Sequence, residues 1–164
     1  MGNAFSICFT NTAVSTAKTL IFINPGTTRP IRIIELGMSQ SGSTTSAIQR
    51  VQAVRQVSAF PTLTSFTPRA LTNDATSVII GGTAGAAGTC GIADVATGAE
   101  GAGAKTVLWE DDWNVVNGSW RWVGGPKGIV LPASSSSGFG LYIPATAGGG
   151  SITYSAYLHF EEVD

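Results

Sequence analysis

The chain has 164 residues, the size of one ordinary domain and enough to bury roughly 70 % of the surface that its unfolded form exposes. Charged residues are only 12 % of it, against roughly 25 % in typical soluble domains; Ser, Thr, Asn and Gln carry the polarity, beside 21 glycines. A net charge of −1 gives no broad positive field, which excludes the electrostatic footprint of a nucleic-acid binder.

Period-two alternation in short runs, bounded by Gly, Pro, Asn and Ser, dominates the chain and predicts strands. The opening "MGNAFSICF" matches the Met-Gly-x-x-x-Ser pattern of myristoylation at Gly2, but Phe5, Ile7 and Phe9 alternate as a strand that starts at once, so it reads as a strand with no secretory signal. "KTLIFIN" (18–24) is a continuous apolar run ended by the turn "NPGTTRP". "IRIIELGMS" puts Ile34, Leu36 and Met38 on one side and Glu35 on the other. In "AIQRVQAVRQV" (47–57), Val51, Ala53 and Val57 alternate with Arg50, Gln52 and Gln56, with Arg55 breaking the apolar side; propensity alone would also allow a helix.

Residues 58–74 carry two prolines and read as a long irregular connection, and residues 81–105 as a second, looser one. The uncharged stretch 75–93 approaches membrane-spanning length, but Gly81, Gly82, Gly85, Gly88 and Gly91 make it a poor helix, so no membrane span is expected. "GFGLYIP" (138–144) alternates Phe139, Leu141 and Ile143. "SITYSAYLHFEEV" (151–163) sets Ile152, Tyr154, Ala156, Leu158 and Phe160 against Thr153, Ser155, Tyr157, His159 and Glu161. About eight strands with long irregular loops predict an all-β, single-domain antiparallel sandwich over 1–164, a jelly roll.

"LWEDDWNVVNGSWRW" (108–122) holds all four tryptophans and three consecutive carboxylates. Asn117-Gly118 is a strong signal for a two-residue hairpin turn, which would pair Trp113 with Trp122 and Val115 with Trp120. Trp109, Trp113, Trp120 and Trp122 then share one face, an interface or a glycan-stacking surface, and Arg121 reaches Asp112 diagonally on the other. Glu110 and Asp112 share a face while Asp111 points away, so the three do not converge as a glycosidase pair would, and their spacing lacks the ligand pattern of a calcium loop.

His159 stands alone without a nucleophile in matching context, and neither G-x-S-x-G nor a phosphate loop occurs. The chain therefore offers no catalytic residue, no metal site and no cofactor site. Cys8 and Cys90 match no metal or redox spacing and read as unpaired, buried thiols. So weakly charged a surface suits a protein packed against neighbours, because few charges need desolvating; a heat-tolerant secreted domain with a Ser/Thr surface is the alternative.

Four segments carry a resemblance: "IIELGMSQSGSTTSAIQRVQAVR" (33–55), "TPRALTNDATS" (67–77), "WNVVNGSWRW" (113–122) and "SAYLHFEEV" (155–163). In this order they resemble a family of small β-rich virion structural proteins of tailed bacteriophages, most like the capsid decoration (cement) proteins. The likeness spans most of the chain except 81–105, and the glycine-rich insert and dense tryptophans depart from the family pattern. It implies a non-enzymatic protein on the outer surface of the capsid, a homotrimer whose partner is the major capsid protein and which stabilises contacts between capsid subunits. It brings no membrane or nucleic-acid partner. A carbohydrate-binding module, or a receptor-binding jelly roll resembling the tumour-necrosis-factor fold, is the competing expectation.

Overall fold

A computed structural model of the chain describes residues 3–42, 45–71, 75–116, 118–125, 128–134 and 136–163. The strands in chain order are β1 (Ala4–Val14), β2 (Lys18–Asn24), β3 (Ile31–Ser41), β4 (Ile48–Val57), β5 (Leu63–Ser65), β6 (Arg69–Ala70), β7 (Ile80–Gly81), β8 (Thr89–Ala93), β9 (Lys105–Asn114), β10 (Trp120–Val123), β11 (Ile129–Leu131), β12 (Ser137–Ile143) and β13 (Ile152–Glu162). No α-helix occurs among the described residues, and strand β4 occupies Ile48–Val57.

Two sheets face each other. The first runs β10–β3–β13–β1–β6, with β11 pairing the other half of β3; the second runs β5–β8–β2–β12–β4–β9, with β7 beside β8. All pairings are antiparallel except that of β7 with β8. With β10 and β11 counted as one interrupted strand, eight strands form the orders 1-13-3-10 and 2-12-4-9. Every connection among them crosses between the sheets except that from β4 to β9. This wrapping is a jelly roll.

The alternation read from the sequence supplies the core. Phe5, Ile7, Phe9, Phe139, Leu141, Ile143, Tyr154, Leu158 and Phe160 are all at most 1 % exposed between the sheets. Each such large side chain contributes about 1.5–3 kcal/mol through burial. Bulges shift the phase in two places. At Ile34 the β3–β13 register slips, so Ile31 and Ile33, not Ile34, join Leu36 and Met38 in the core. At Leu108 the β4–β9 register slips likewise.

The segment between β4 and β9 is more ordered than two loops. Within 81–105, β8 extends the second sheet beside β2, and β5, from the 58–74 connection, extends it further. The segment then lies over the outer face of that sheet, where the Phe60 ring packs 5.2 Å from that of Phe22. Lys18 donates to the Gly98 carbonyl at 2.7 Å, and Thr19 donates its amide and hydroxyl to the two carboxylate oxygens of Glu100 at 2.8 and 2.7 Å. This cover is why β2 is buried on both faces and Gln56 is buried, whereas Val57, assigned to the apolar side by alternation, is 48 % exposed.

Gln49, in phase with Val51 and Ala53, is also buried. It donates to the carbonyls of Arg50 and Ala145 and accepts from Ala147 N–H and the Tyr154 hydroxyl. A buried amide with four partners is satisfied rather than costly.

Candidate functional site

The tryptophan segment folds differently from the predicted hairpin. β9 belongs to the second sheet and pairs with β4; β10 belongs to the first and pairs with β3. Trp120 lies opposite Met38 and Trp122 opposite Leu36, while Trp113 lies opposite Gln49. The strands on either side of the predicted turn therefore lie in different sheets. Asn117 itself and the Gly2 pattern lie outside the described residues. The physical reason is topological: in a jelly roll the connection out of β9 must cross the sandwich, and tertiary wrapping overrides a local turn preference.

All four tryptophans still join one core, across the sandwich instead of across a hairpin. Trp109 and Trp113 come from the inner side of β9, Trp120 and Trp122 from that of β10, where they close the gap between two edge strands. Trp113 and Trp120 are 9 % and 5 % exposed, and Trp109 and Trp122 are half-buried against the same core. Trp109 and Trp120 pack at 5.1 Å between ring centroids. Trp120 Nε1 donates to Asp111 Oδ2 at 3.2 Å, tying the two sheets together at their rim.

The carboxylates divide as alternation predicted. Glu110 accepts from Gln52 and Asp112 from Arg50 at 3.1 Å, both on the outer face of the second sheet, while Asp111 points the other way. Arg121 does not reach Asp112. It grips Glu35 with two hydrogen bonds of 2.7 and 3.0 Å, because β10 adds to β3 and places Arg121 on the outer face of the first sheet. No group of three or more His, Cys, Asp or Glu side chains able to hold a metal ion occurs among the described residues.

Apolar side chains are exposed at this rim, as Leu71 and Ile80 are on the far side of the sandwich. Val107, Leu108, Val116, Val123 and Val130 are 39–58 % exposed on or beside β9, β10 and β11. The opposite rim ends in strands of two and three residues, β6 and β5. Open edge strands with apolar side chains are surfaces that other chains can cover.

The outer face of the first sheet carries a polar cluster that sequence reasoning did not assemble. Glu35 is its centre: besides Arg121, it accepts from the Tyr157 hydroxyl and lies 3.9 Å from His159 Nδ1. The rings of Tyr157 and His159 are 4.7 Å apart. Tyr157 lies over Gly37, where a Cβ would come within 2.2 Å of the ring, so any larger residue there would displace the ring. The Arg121 hydrogen bonds hold the Glu35 carboxyl below its ordinary range, while burial pushes the Tyr157 hydroxyl up. Burial also lowers the His159 pKa, against the Glu35 charge, which raises it.

The cysteines are free: Cys90 is buried, its thiol pushed up to about 12 by desolvation, and Cys8 is half-buried on the outer face of β1. The signal for the cluster was available in the odd-numbered polar row Tyr157 and His159. Its partners Glu35 and Arg121 became visible only once β3, β10 and β13 were adjacent.

No protein-family model and no curated protein matches the chain. Among solved structures it is similar to the decameric BFDV capsid protein, at 13 % identity over 98 % of this chain and 95 % of that one, with a TM-score of 0.30. It is also similar to a chain of the cyanophage Pam1 capsid asymmetric unit, at 10 % identity over 98 % of this chain and 83 % of that one, with a TM-score of 0.28. At these scores the likeness carries no weight for function.

Proposed function

We propose that this chain is a non-enzymatic structural protein of a phage particle, a single domain over 1–164 that binds the outer surface of the capsid and stabilises contacts between major capsid subunits. The observation that carries the reading is the apolar rim. A jelly roll with 12 % charged residues leaves Val107, Leu108, Val116, Val123 and Val130 exposed along its long edge, while its own insert covers one outer face. Exposed apolar side chains suit packing against symmetric neighbours, and two carboxylates of the same edge, Glu110 and Asp112, are already partnered by Gln52 and Arg50. Repetition over a shell then makes weak single contacts sufficient. The sequence resemblance to decoration proteins supports a homotrimer.

On this reading Trp109, Trp113, Trp120 and Trp122 stiffen the rim from behind, and the exposed edges of Trp109 and Trp122 join the contact.

The test is the mass of the purified chain by light scattering, followed by co-sedimentation with undecorated shells. The expected result is a trimer of the 16.8 kDa chain that sediments with shells. Leu108→Asp and Val123→Asp, both at exposed positions, should weaken that binding without unfolding the protein. A chain that stays monomeric and never sediments with shells overturns the proposal.

A further inference from the structure

Beside the Glu35 cluster, the outer face of the first sheet opens into a cleft of about 550 Å³. That volume falls in the range of about 300–1,000 Å³ usual for small-molecule sites. Most of its lining is apolar; Thr10, Ser39, Ser119 and Ser155 bring hydroxyls to it, and Arg121 and Tyr157 wall one side. The concavity has a local cause. β1 bulges between Phe9 and Thr12, with Asn11 at φ 44°, and Asn11 N–H is held by the Ser155 hydroxyl at 2.9 Å. The chain thus rises at one end of the cleft, while Tyr157 rises over Gly37 at the other.

We propose that this cleft is a binding site for a neutral sugar, a pyranose unit of a surface glycan. Three features of the walls select that class. Serine and threonine hydroxyls both donate and accept, which matches the hydroxyls of a sugar ring. Those of Thr10, Ser39 and Ser119 make no hydrogen bond with the described residues, so they are available to a ligand. The Tyr157 ring is fixed in advance by Gly37 beneath it and Glu35 at its hydroxyl, so stacking a sugar on it costs little ordering.

Charge supplies the discrimination. Arg121 already holds Glu35 through Nε and Nη2, so its charge is compensated and an anionic ligand gains little from it. This site borders the rim proposed for capsid contact, since Ser119, Trp120 and Arg121 line it, but it opens on the outer face, whereas the tryptophan rings come from inward positions.

The experiment is an amide ¹H–¹⁵N NMR titration of the full chain with the methyl pyranosides of glucose, galactose and mannose, and with methyl glucuronide. At least one neutral sugar should give saturable shifts at Thr10, Ser39, Ser119, Arg121, Ser155 and Tyr157, with no other saturating patch. The glucuronide should bind no more tightly than the matching glucoside. Ser39→Tyr, at a partly exposed outward position, fills the cleft and should weaken binding by at least about tenfold, while its unfolding midpoint shows that the fold persists. Absence of saturable shifts with all three neutral sugars, shifts unchanged in Ser39→Tyr, or tighter binding of the glucuronide would each overturn the proposal.

Discussion

The two outer faces of the sandwich have opposite fates. On the second sheet the segment between β4 and β9 folds back as a cover: Phe22 is fully buried on the outward side under Phe60, and Gln56 is buried beside it. On the first sheet the outward row is left to solvent, and Glu35, Arg121, Tyr157 and His159 fill it with hydrogen bonds instead of apolar contact. One face is thus spent on stability, while the other keeps a shaped, polar surface. A jelly roll needs only its inner faces to fold, so what covers or bares an outer face decides where partners can reach it.

The sharpest way to break this comparison is to remove an aromatic ring from each face. Phe22→Ala deletes a fully buried ring and loosens its cover, and should cost about 3–5 kcal/mol in denaturant unfolding. If the loss were no greater than that of Tyr157→Ala, the cover would contribute no core. A glycine on each face makes the same point with less force. Gly138→Ala would press a methyl to within 2.3 Å of Phe22, and Gly37→Ala to within 2.2 Å of Tyr157. Both should destabilise by about 1–3 kcal/mol, Gly138→Ala by more, because Phe22 has no solvent into which to retreat. Tyr157 can swing outward, so Gly37→Ala should chiefly release its hydroxyl from Glu35, seen as a fall in the Tyr157 pKa.

How much of this was legible beforehand follows the same division. The inner faces were: Phe139, Leu141 and Ile143, or the five apolar residues of β13, alternate cleanly because water lies on one side and core on the other. The covered face was half legible. The run Leu20–Ile23 in "KTLIFIN" is apolar without a break because both its sides are buried, but nothing local says that the segment between β4 and β9 provides the second burial. Bulges hid the rest, since a single extra residue at Ile34 or Leu108 reverses the phase without changing the pattern. Asn117-Gly118 misled for a related reason. Its local preference favours a hairpin, whereas the roll requires a crossing at that point. The tryptophans nevertheless converge, because inward positions on both edge strands face one space.

A smaller effect tests how the cover is latched. Glu100→Gln leaves one acceptor but removes the charge that receives both Thr19 donors, and should cost about 1 kcal/mol. Hydrogen exchange at the Thr19 amide should quicken while β13 is unchanged. Equal quickening in both places would mean that the cover opens only when the whole protein unfolds.

The smallest effect belongs to the open face and is read by pH. His159 has a folded pKa below its ordinary 6.5, chiefly through burial, so the folded state binds fewer protons and stability falls as pH drops below 6.5. Glu35, held below its ordinary 4.5 chiefly by the Arg121 hydrogen bonds, adds a second loss as pH falls below 4.5 towards its folded value. The NMR titration of His159 should therefore show a midpoint under 6.5. In Glu35→Gln that midpoint should fall further, because the carboxylate that favours the imidazolium is gone while Arg121 remains. The same variant should also flatten the acid limb of stability below 4.5. A His159 midpoint that rose in Glu35→Gln would mean that the carboxylate does not act on the ring, and that the open face is a set of separate pairs, not one connected cluster.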